Sequence, residues 1–128
     1  MNMRALFPRA WRDARGIAAV EFAMIAPIFI VLIVGAFYLS LSLFLTGSLH
    51  YAVEQAARCA SVKTTVCTDS GSTISYARNN YFGPGGSTPN FSYALAPCGN
   101  SVTASLNYVL DTGLIQFTLP VSATACFP

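Results

Sequence analysis

Charged side chains are scarce in this sequence of 128 residues. Asp, Glu, Lys and Arg make up 9% of the chain, against about 25% in typical soluble domains, and 54% of the residues are apolar. We therefore do not expect a soluble enzyme, and the length allows one small domain at most. The formal net charge of +2 argues against a nucleic-acid partner, for which a clustered basic face is expected.

Residues that carry catalysis or bind metal ions are also few. The single histidine, His50, has no acidic or nucleophilic partner at a chemically useful spacing, so a surface histidine explains it better than a catalytic one. The sequence contains no G-x-S-x-G motif, phosphate-binding loop or cluster of metal ligands. We therefore predict that the protein is not an enzyme and uses no cofactor, no metal and no small-molecule substrate.

What the sequence does contain is one long apolar run. Residues 22–45 carry no charge and are interrupted only by Pro27, Gly35, Ser40 and Ser42. At a rise of 1.5 Å per residue, a helix of this length crosses a hydrocarbon layer of roughly 30 Å. A buried core helix would need a larger soluble body than the rest of the chain offers. The run therefore predicts one transmembrane helix surrounded by membrane lipid.

The arginines indicate the orientation of this helix. Four of them precede the run, at Arg4, Arg9, Arg12 and Arg15, and the first basic residue after it is Arg58. The positive-inside rule places the arginine-rich end in the cytoplasm. The C-terminal part of the chain is therefore expected on the other side of the membrane.

The helix is predicted to continue beyond the membrane. An apolar stripe at helical spacing continues through Leu49, Val53, Ala56 and Ala60. Glu54 and Arg58 form a favourable pair four residues apart on the same helix. We therefore expect one helix over residues 17–62, with residues 46–62 as an extracytoplasmic extension.

Residues 63–128 differ in composition from the apolar run. About a third of them are Ser, Thr, Asn or Gln and only four are charged, which predicts a neutral polar surface. Ser72 or Thr73 is expected to cap a short helix that ends at Gly83 and Pro84. These signals place a small folded domain after the long helix.

Alternation of apolar and polar residues predicts three strands in this domain. The alternating segments are residues 91–95, 102–110 and 115–121. Asp111–Gly113 is the expected turn between the last two, and the alternation pairs Leu106 with Leu119 across it. The predicted fold class is therefore α+β, with a long transmembrane helix, a short helix and a three-stranded antiparallel sheet.

Four cysteines allow three disulfide pairings. A small extracytoplasmic domain favours disulfides over free thiols, and the C-x-x-C spacing typical of a zinc site is missing. Cys98 and Cys126 lie at equal distances from residue 112, so the predicted hairpin brings them together. Cys59 is then left to pair with Cys67. The alternation favours a register one residue away from this arrangement, which requires a β-bulge.

One carboxylate does not fit a simple membrane anchor. Glu21 lies at the start of the apolar helix. Inserting a charged side chain into a membrane costs a free energy on the order of 2.5 to 3.5 kcal/mol at the centre of the bilayer and less near an interface. On one interpretation, Glu21 reaches back to the cytoplasmic interface. On the other, cleavage after Gly16 makes Ile17 the new N-terminus, and this α-amine attracts Glu21 of a neighbouring copy or partner.

The residues around this position resemble a known family. A basic leader ending in glycine, followed by Gly16–Pro27 (GIAAVEFAMIAP), is similar to the prepilin-type processing region of the TadE-like pseudopilins of the Tad (tight adherence) pilus system. The resemblance continues in Glu54–Ala60 (EQAARCA). It ends in Cys98–Asn100 (CGN) and Ala125–Pro128 (ACFP).

This resemblance implies a pilin-like fold and a function in assembly of a type IVb adhesive pilus. A prepilin peptidase would remove residues 1–16, and Glu21 matches the family glutamate credited with processing or subunit registration. The mature protein would stay in the bacterial inner membrane, with residues 63–128 in the periplasm, or join an extracellular pilus. Its partners would be other pilins and pseudopilins and the pilus secretion machinery. Major pilins of this system are much shorter, so the folded domain favours a minor pseudopilin.

Two other interpretations fit parts of the sequence. A single-pass, signal-anchored interaction protein of the cell envelope would have the same helix and periplasmic domain without cleavage after Gly16. A secretory signal peptide fits less well, because the apolar run is about twice the usual length and Glu21 lies at its start. The nearest site for signal peptidase, Thr46 to Ser48, is a weak one.

Overall fold

The computed structural model of the chain describes residues 14–84, 88–111, 113 and 115–128. The elements in chain order are α1 (Ala14–Val62), α2 (Ser70–Asn79), β1 (Asn90–Ala96), β2 (Gly99–Asp111) and β3 (Gln116–Phe127). The strands form one antiparallel sheet in the order β1, β2, β3. The predicted α+β fold, with a long helix, a short helix, a three-stranded sheet and disulfides, is confirmed. Most of the predicted leader, residues 1–16, lies outside the described residues.

Helix α1 begins in one compact unit of the chain, Met1–Leu39, and ends in a second, Ser40–Pro128. In the first unit, every side chain from residue 16 to residue 39 is exposed except those of Ala26 and Tyr38, which are half-buried. A helix that is apolar all round is typical of a membrane span. The helix is long and apolar enough to cross a membrane, and none of its most apolar window is buried.

The second unit has a hydrophobic core to which α1 and the sheet contribute most residues. The helix residues recur at helical spacing, at Leu45, Leu49, Ala52, Val53 and Ala56. Each strand contributes alternate residues, at Phe91, Val102, Ala104, Leu106, Val121 and Ala123. The predicted stripe of α1 is therefore buried except at its last member, Ala60, which is half-buried.

Helix α2 begins and ends earlier than predicted. Its N-cap is Asp69, where Ser72 or Thr73 was expected, and Oδ1 of Asp69 accepts a hydrogen bond from the backbone N–H of Ser72 at 2.7 Å. The backbone N–H of Asp69 donates in return to Oγ of Ser72 at 3.1 Å. This reciprocal capping box satisfies two donors and makes Asp69 the better cap. The helix ends at Asn79, four residues before Gly83.

The Asp69 cap gives the stability of this unit a dependence on pH. The backbone N–H of Ser72, and then its side chain, lower the pKa of Asp69 below its ordinary value of about 4. The ionised cap therefore stabilises the fold above that ordinary pKa, and this contribution is lost as the pH falls through the lower folded-state pKa.

We expect Asp69→Asn to lower the melting temperature slightly at neutral pH and to leave it unchanged near pH 2, since asparagine caps helices about as well as aspartate but carries no charge. Thermal unfolding of both full-length proteins in detergent at the two pH values measures the difference. Other titrating groups, such as Asp111, are present in both proteins and cancel in the comparison. A difference of the same size at both pH values would contradict this account.

The register between β2 and β3 corrects the predicted one. Leu106 pairs with Val121, two residues away from the predicted partner Leu119. Because side chains alternate with a period of two, a shift of two residues keeps each apolar side chain on the predicted face. The pairing is uninterrupted along the whole of β3, so the expected β-bulge is not formed.

The loop of this hairpin accounts for the shift. The last paired residues are Asp111 and Gln116, so the connection spans residues 112–115 and is longer than the predicted turn at Asp111–Gly113. Gly113 has φ +78°, the left-handed conformation that glycine adopts without steric cost. Its N–H donates to Oδ1 of Asp111 at 2.8 Å, which holds the start of the loop.

Both disulfides have the pairing that the sequence predicted. Cys59 is bonded to Cys67, with Cα atoms 5.8 Å apart, and Cys98 to Cys126, with Cα atoms 6.2 Å apart. Cys126 lies opposite Ser101 in the sheet, whereas Cys98 lies in the turn before β2. The second bridge therefore ties the end of β3 to the turn between β1 and β2, and no cross-strand pair of cysteines is needed.

Loss of the Cys98–Cys126 bridge is expected to destabilise the fold more than loss of the Cys59–Cys67 bridge. The sequence separations are 28 and 8 residues, and a bridge removes more unfolded-state entropy when its loop is longer. Replacing both cysteines with alanine should lower the unfolding free energy by about 3 to 4 kcal/mol for the longer loop and about 2 to 3 kcal/mol for the shorter one. Denaturant unfolding of the two double variants measures the order, and the reverse order would contradict the loop-length argument.

Candidate processing and assembly site

The residues predicted to direct processing and assembly lie close together at the described start of α1. Gly16 is the third residue of the helix, and Ile17 and Glu21 follow on its exposed surface. Ile17 and Glu21 are four residues apart, so their side chains are neighbours on one face. The fold therefore presents the predicted cleavage position and the carboxylate on the same stretch of helix surface.

Gly16 has no packing role in the described structure. A Cβ atom added at this position would meet no heavy atom within 4 Å. Glycine is also a poor helix residue. The glycine is thus not explained by the packing of the described residues.

Glu21 has large exposed apolar neighbours. Ile17, one turn before it, is 70% exposed, and Phe22 and Ile25 beside and after it are 73% and 58% exposed. In lipid, these side chains would surround the carboxylate with hydrocarbon. A carboxylate in such surroundings needs a positive or hydrogen-bonding partner.

A polar network that sequence analysis missed holds the far end of α1 to the sheet. Oγ of Ser61 donates to the carbonyl oxygen of Phe127 at 3.1 Å and accepts from Nδ2 of Asn100 at 2.8 Å. Oδ1 of Asn100 accepts in turn from the hydroxyl of Tyr93 at 2.5 Å. Asn100 and Phe127 lie 39 and 66 residues after Ser61 in the sequence, so no local pattern predicts the network.

The sheet face opposite the core is rich in hydroxyl groups, and its one charged strand residue is Asp111, at the end of β2. Ser92, Thr103 and Thr124 form one row across the three strands, and the hydroxyls of Thr103 and Thr124 are 3.1 Å apart. Asn90, Ser105 and Ser122 form the next row. This face has the neutral, hydrogen-bonding character that the composition predicted.

The one residue considered as a catalytic candidate in the sequence, His50, lies in the second unit. His50 is exposed on α1, next to the buried Leu49. Within the described ranges, no group of three or more His, Cys, Asp or Glu side chains is placed to hold a metal ion. Nothing described at His50 assigns it a chemical role.

The fold and the exposed apolar helix define a class, a protein with one candidate membrane span and a small disulfide-bonded domain. Residues 16–58 match the family model of the TadE-like proteins, described as TadE-like protein. This match confirms the resemblance seen in the sequence and covers about a third of the chain. No curated protein and no solved structure matches the chain significantly.

The matched residues contain the whole candidate processing and assembly site. They begin at Gly16 and end at Arg58, within α1, so the sheet and the Cys98–Cys126 bridge lie outside them. The TadE-like match and the apolar helix together fit a membrane protein associated with the Tad pilus, in a family that suggests contacts with other pilus proteins.

Proposed function

We propose that the protein is a membrane-anchored minor pseudopilin that supports assembly of a Tad-type adhesive pilus. One observation carries this proposal: an apolar helix, exposed on all sides, starts at a TadE-like motif with a single carboxylate at its fifth position after Gly16. A plain anchor requires the apolar helix but neither the glycine nor the carboxylate.

The first step in the proposed function is cleavage after Gly16 by a prepilin peptidase. The bond lies near the described start of α1 and follows a glycine, which lowers the stability of a helix. Cleavage removes a leader whose net charge is +3 and leaves Ile17 with a free α-amine. The mature chain then begins with the apolar helix and has Glu21 as its fifth residue.

The proposed placement of the chain follows from burial and from disulfide chemistry. Side chains from residue 16 to Leu39 are exposed or half-buried, whereas Leu45 is fully buried in the core of the second unit. Because Leu45 lies in that core, we move the proposed span from residues 22–45 to residues 17–39, which at about 34 Å are long enough to cross the hydrocarbon layer. We place the second unit in the periplasm. An oxidising periplasm is where both disulfides form and persist.

Assembly is proposed to occur by packing between membrane helices. Ala19, Ala23 and Ala26 lie three and four residues apart on one face and allow close approach of another helix. The carboxylate of Glu21 then pairs with the α-amine of a neighbouring subunit and sets the axial register of the two helices. The hydroxyl-rich face of the sheet remains available for contacts with other pilus components.

N-terminal sequencing of the protein from sheared pili and from membranes tests this proposal. We expect the mature protein to begin at Ile17 in both fractions. An intact N-terminus would instead identify a signal-anchored envelope protein, and a start near Leu49 would identify a secretory signal peptide. Either of these results would overturn the pseudopilin assignment, as would wild-type piliation in a strain that lacks the protein.

A further inference from the structure

The two disulfides differ in how far solvent reaches them. Cys59 and Cys67 are 2% and 5% exposed, so the bridge between them lies inside the folded second unit. Cys98 is exposed in the turn between β1 and β2, and its partner Cys126 is half-buried near the end of β3. A thiol in solution therefore has access to one bridge of the folded protein and not to the other.

The backbone around the buried bridge is held by hydrogen bonds. The N–H of Lys63 donates to the carbonyl oxygen of Cys59 at 2.8 Å, and the N–H of Cys67 donates to the carbonyl oxygen of Lys63 at 3.0 Å. The rate of thiol–disulfide exchange depends on access to the sulfur that is attacked. The Cys59–Cys67 bridge is therefore expected to react only when these residues open locally.

An open groove borders the other bridge. Its volume is about 400 Å³, and Cys126 forms part of its wall. The rest of the wall comes from β3 and from the C-terminal part of α1, at Glu54, Gln55, Ala57, Arg58, Thr124, Ala125 and Phe127. The groove leaves room for part of a second protein beside the Cys98–Cys126 bridge, so access is not restricted to small molecules.

The sheet holds Cys98 and Cys126 near each other even without a bond between them. Ser101, three residues after Cys98, pairs with Cys126 in the ladder of β2 and β3. The next residue of β3, Phe127, accepts a hydrogen bond at its carbonyl oxygen from Oγ of Ser61 at 3.1 Å. When the bridge is opened, these contacts keep the Cys126 thiol close to Cys98, and the bond is able to form again.

We propose that the Cys98–Cys126 bridge is a site of thiol–disulfide exchange with a partner protein that carries two reactive cysteines, and that the partner attacks the exposed Cys98. The thiolate of the partner bonds to Sγ of Cys98. The electron pair of the broken S–S bond leaves on Sγ of Cys126, which takes up a proton from water. The second thiolate of the partner then displaces Cys98, so that two electrons pass to the bridge and the partner is left with a disulfide.

Exchange at this bridge requires only the folded second unit, so it is independent of cleavage after Gly16 and of pilus assembly. It also separates the reactivity of a disulfide from its contribution to stability. The Cys98–Cys126 bridge closes the longer loop and is expected to stabilise the fold more, yet it is expected to react first. The rate depends on access to the sulfur atoms, whereas the stabilisation depends on the entropy of the unfolded chain.

Reduction of the full-length protein in detergent by dithiothreitol compares the two bridges within the same molecule. Samples are alkylated with N-ethylmaleimide at intervals, and peptide mass spectrometry identifies the labelled cysteines. We expect Cys98 and Cys126 to be labelled faster than Cys59 and Cys67 by at least about tenfold, because the buried bridge waits for local opening. Low concentrations of urea should accelerate the labelling of Cys59 and Cys67 only.

Equal rates for the two bridges would overturn the proposal, as would faster reduction of Cys59–Cys67. Acceleration of both bridges by urea in the same proportion would also overturn it, because both would then react only after the unit unfolds.

A trapping experiment identifies the sulfur that is attacked. The probe is a thioredoxin whose second active-site cysteine is replaced with serine, so that it forms a mixed disulfide and does not complete the exchange. N-ethylmaleimide then blocks the released thiol. We expect thioredoxin to be bonded to Cys98 and N-ethylmaleimide to Cys126. The opposite distribution would contradict attack at Cys98, and the absence of any mixed disulfide would contradict exchange with a protein partner.

Discussion

Replacing Glu21 with glutamine is expected to abolish incorporation of the protein into pili while leaving its disulfide-bonded unit folded. Glutamine has nearly the same size and can form hydrogen bonds, but it carries no charge to pair with the α-amine of a neighbouring Ile17. Two opposite unit charges about 4 Å apart attract by about 4 kcal/mol at an effective dielectric constant of 20, which corresponds to roughly a thousandfold in association. Immunoblots of sheared pili measure the loss.

The matched control for this variant is Glu54→Gln. Glu54 is an exposed carboxylate on the same helix, but it lies in the second unit, where water screens it. We expect this control to enter pili normally. Normal incorporation of Glu21→Gln would remove the registration role. A start at Met1 in the variant would instead assign Glu21 to processing.

Replacing Gly16 with leucine is expected to prevent removal of the leader and to retain the full-length protein in the membrane. The side chain does not disturb the described structure, because a Cβ at Gly16 meets nothing within 4 Å, and leucine forms helix better than glycine. A peptidase that binds the residues before the scissile bond in an extended form meets a bulkier side chain and a stretch of helix that opens less readily. Mass spectrometry of the N-terminal peptide measures the processed fraction.

Gly47→Leu serves as the control for this substitution. Gly47 lies on the same helix, is exposed, and also has no heavy atom within 4 Å of an added Cβ. We expect its processing to match that of the wild type. Efficient cleavage of Gly16→Leu after residue 16 would show that the glycine is not read by a peptidase and would weaken the pseudopilin assignment.

The sequence was sufficient to predict those parts of the fold that depend on periodicity and composition. The apolar stripe through Leu49 and Val53 led to α1, and alternation led to the three strands with the correct faces. Details that depend on one local hydrogen bond or on the length of one loop were wrong. Asp69 rather than Ser72 is the cap, because the Asp69 carboxylate accepts a hydrogen bond from the backbone N–H of Ser72. A longer loop moved the pairing of Leu106 from Leu119 to Val121.

The candidate site and the polar contacts at the far end of α1 could likewise be predicted only in part. Gly16, Ile17 and Glu21 are neighbours in the sequence, so their spacing alone was enough to predict that they share a helix surface. The network of Ser61, Asn100 and Tyr93 joins three separate elements through common polar residues, and only the three-dimensional fold brings them together. The extension of β2 and β3 beyond the end of β1 was also beyond prediction, because alternation indicates which residues share a face but not where the pairing of two strands ends.

The two disulfides also differ in when they can form during export. If the chain emerges into the periplasm from α1 onwards, Cys59 and Cys67 are available for oxidation before any strand has appeared, and their bridge needs nothing from the sheet. Cys98 and Cys126 must wait for nearly all of the chain. By then Cys59 and Cys67 are already bonded to each other. The order of emergence itself therefore selects the observed pairing over the other two.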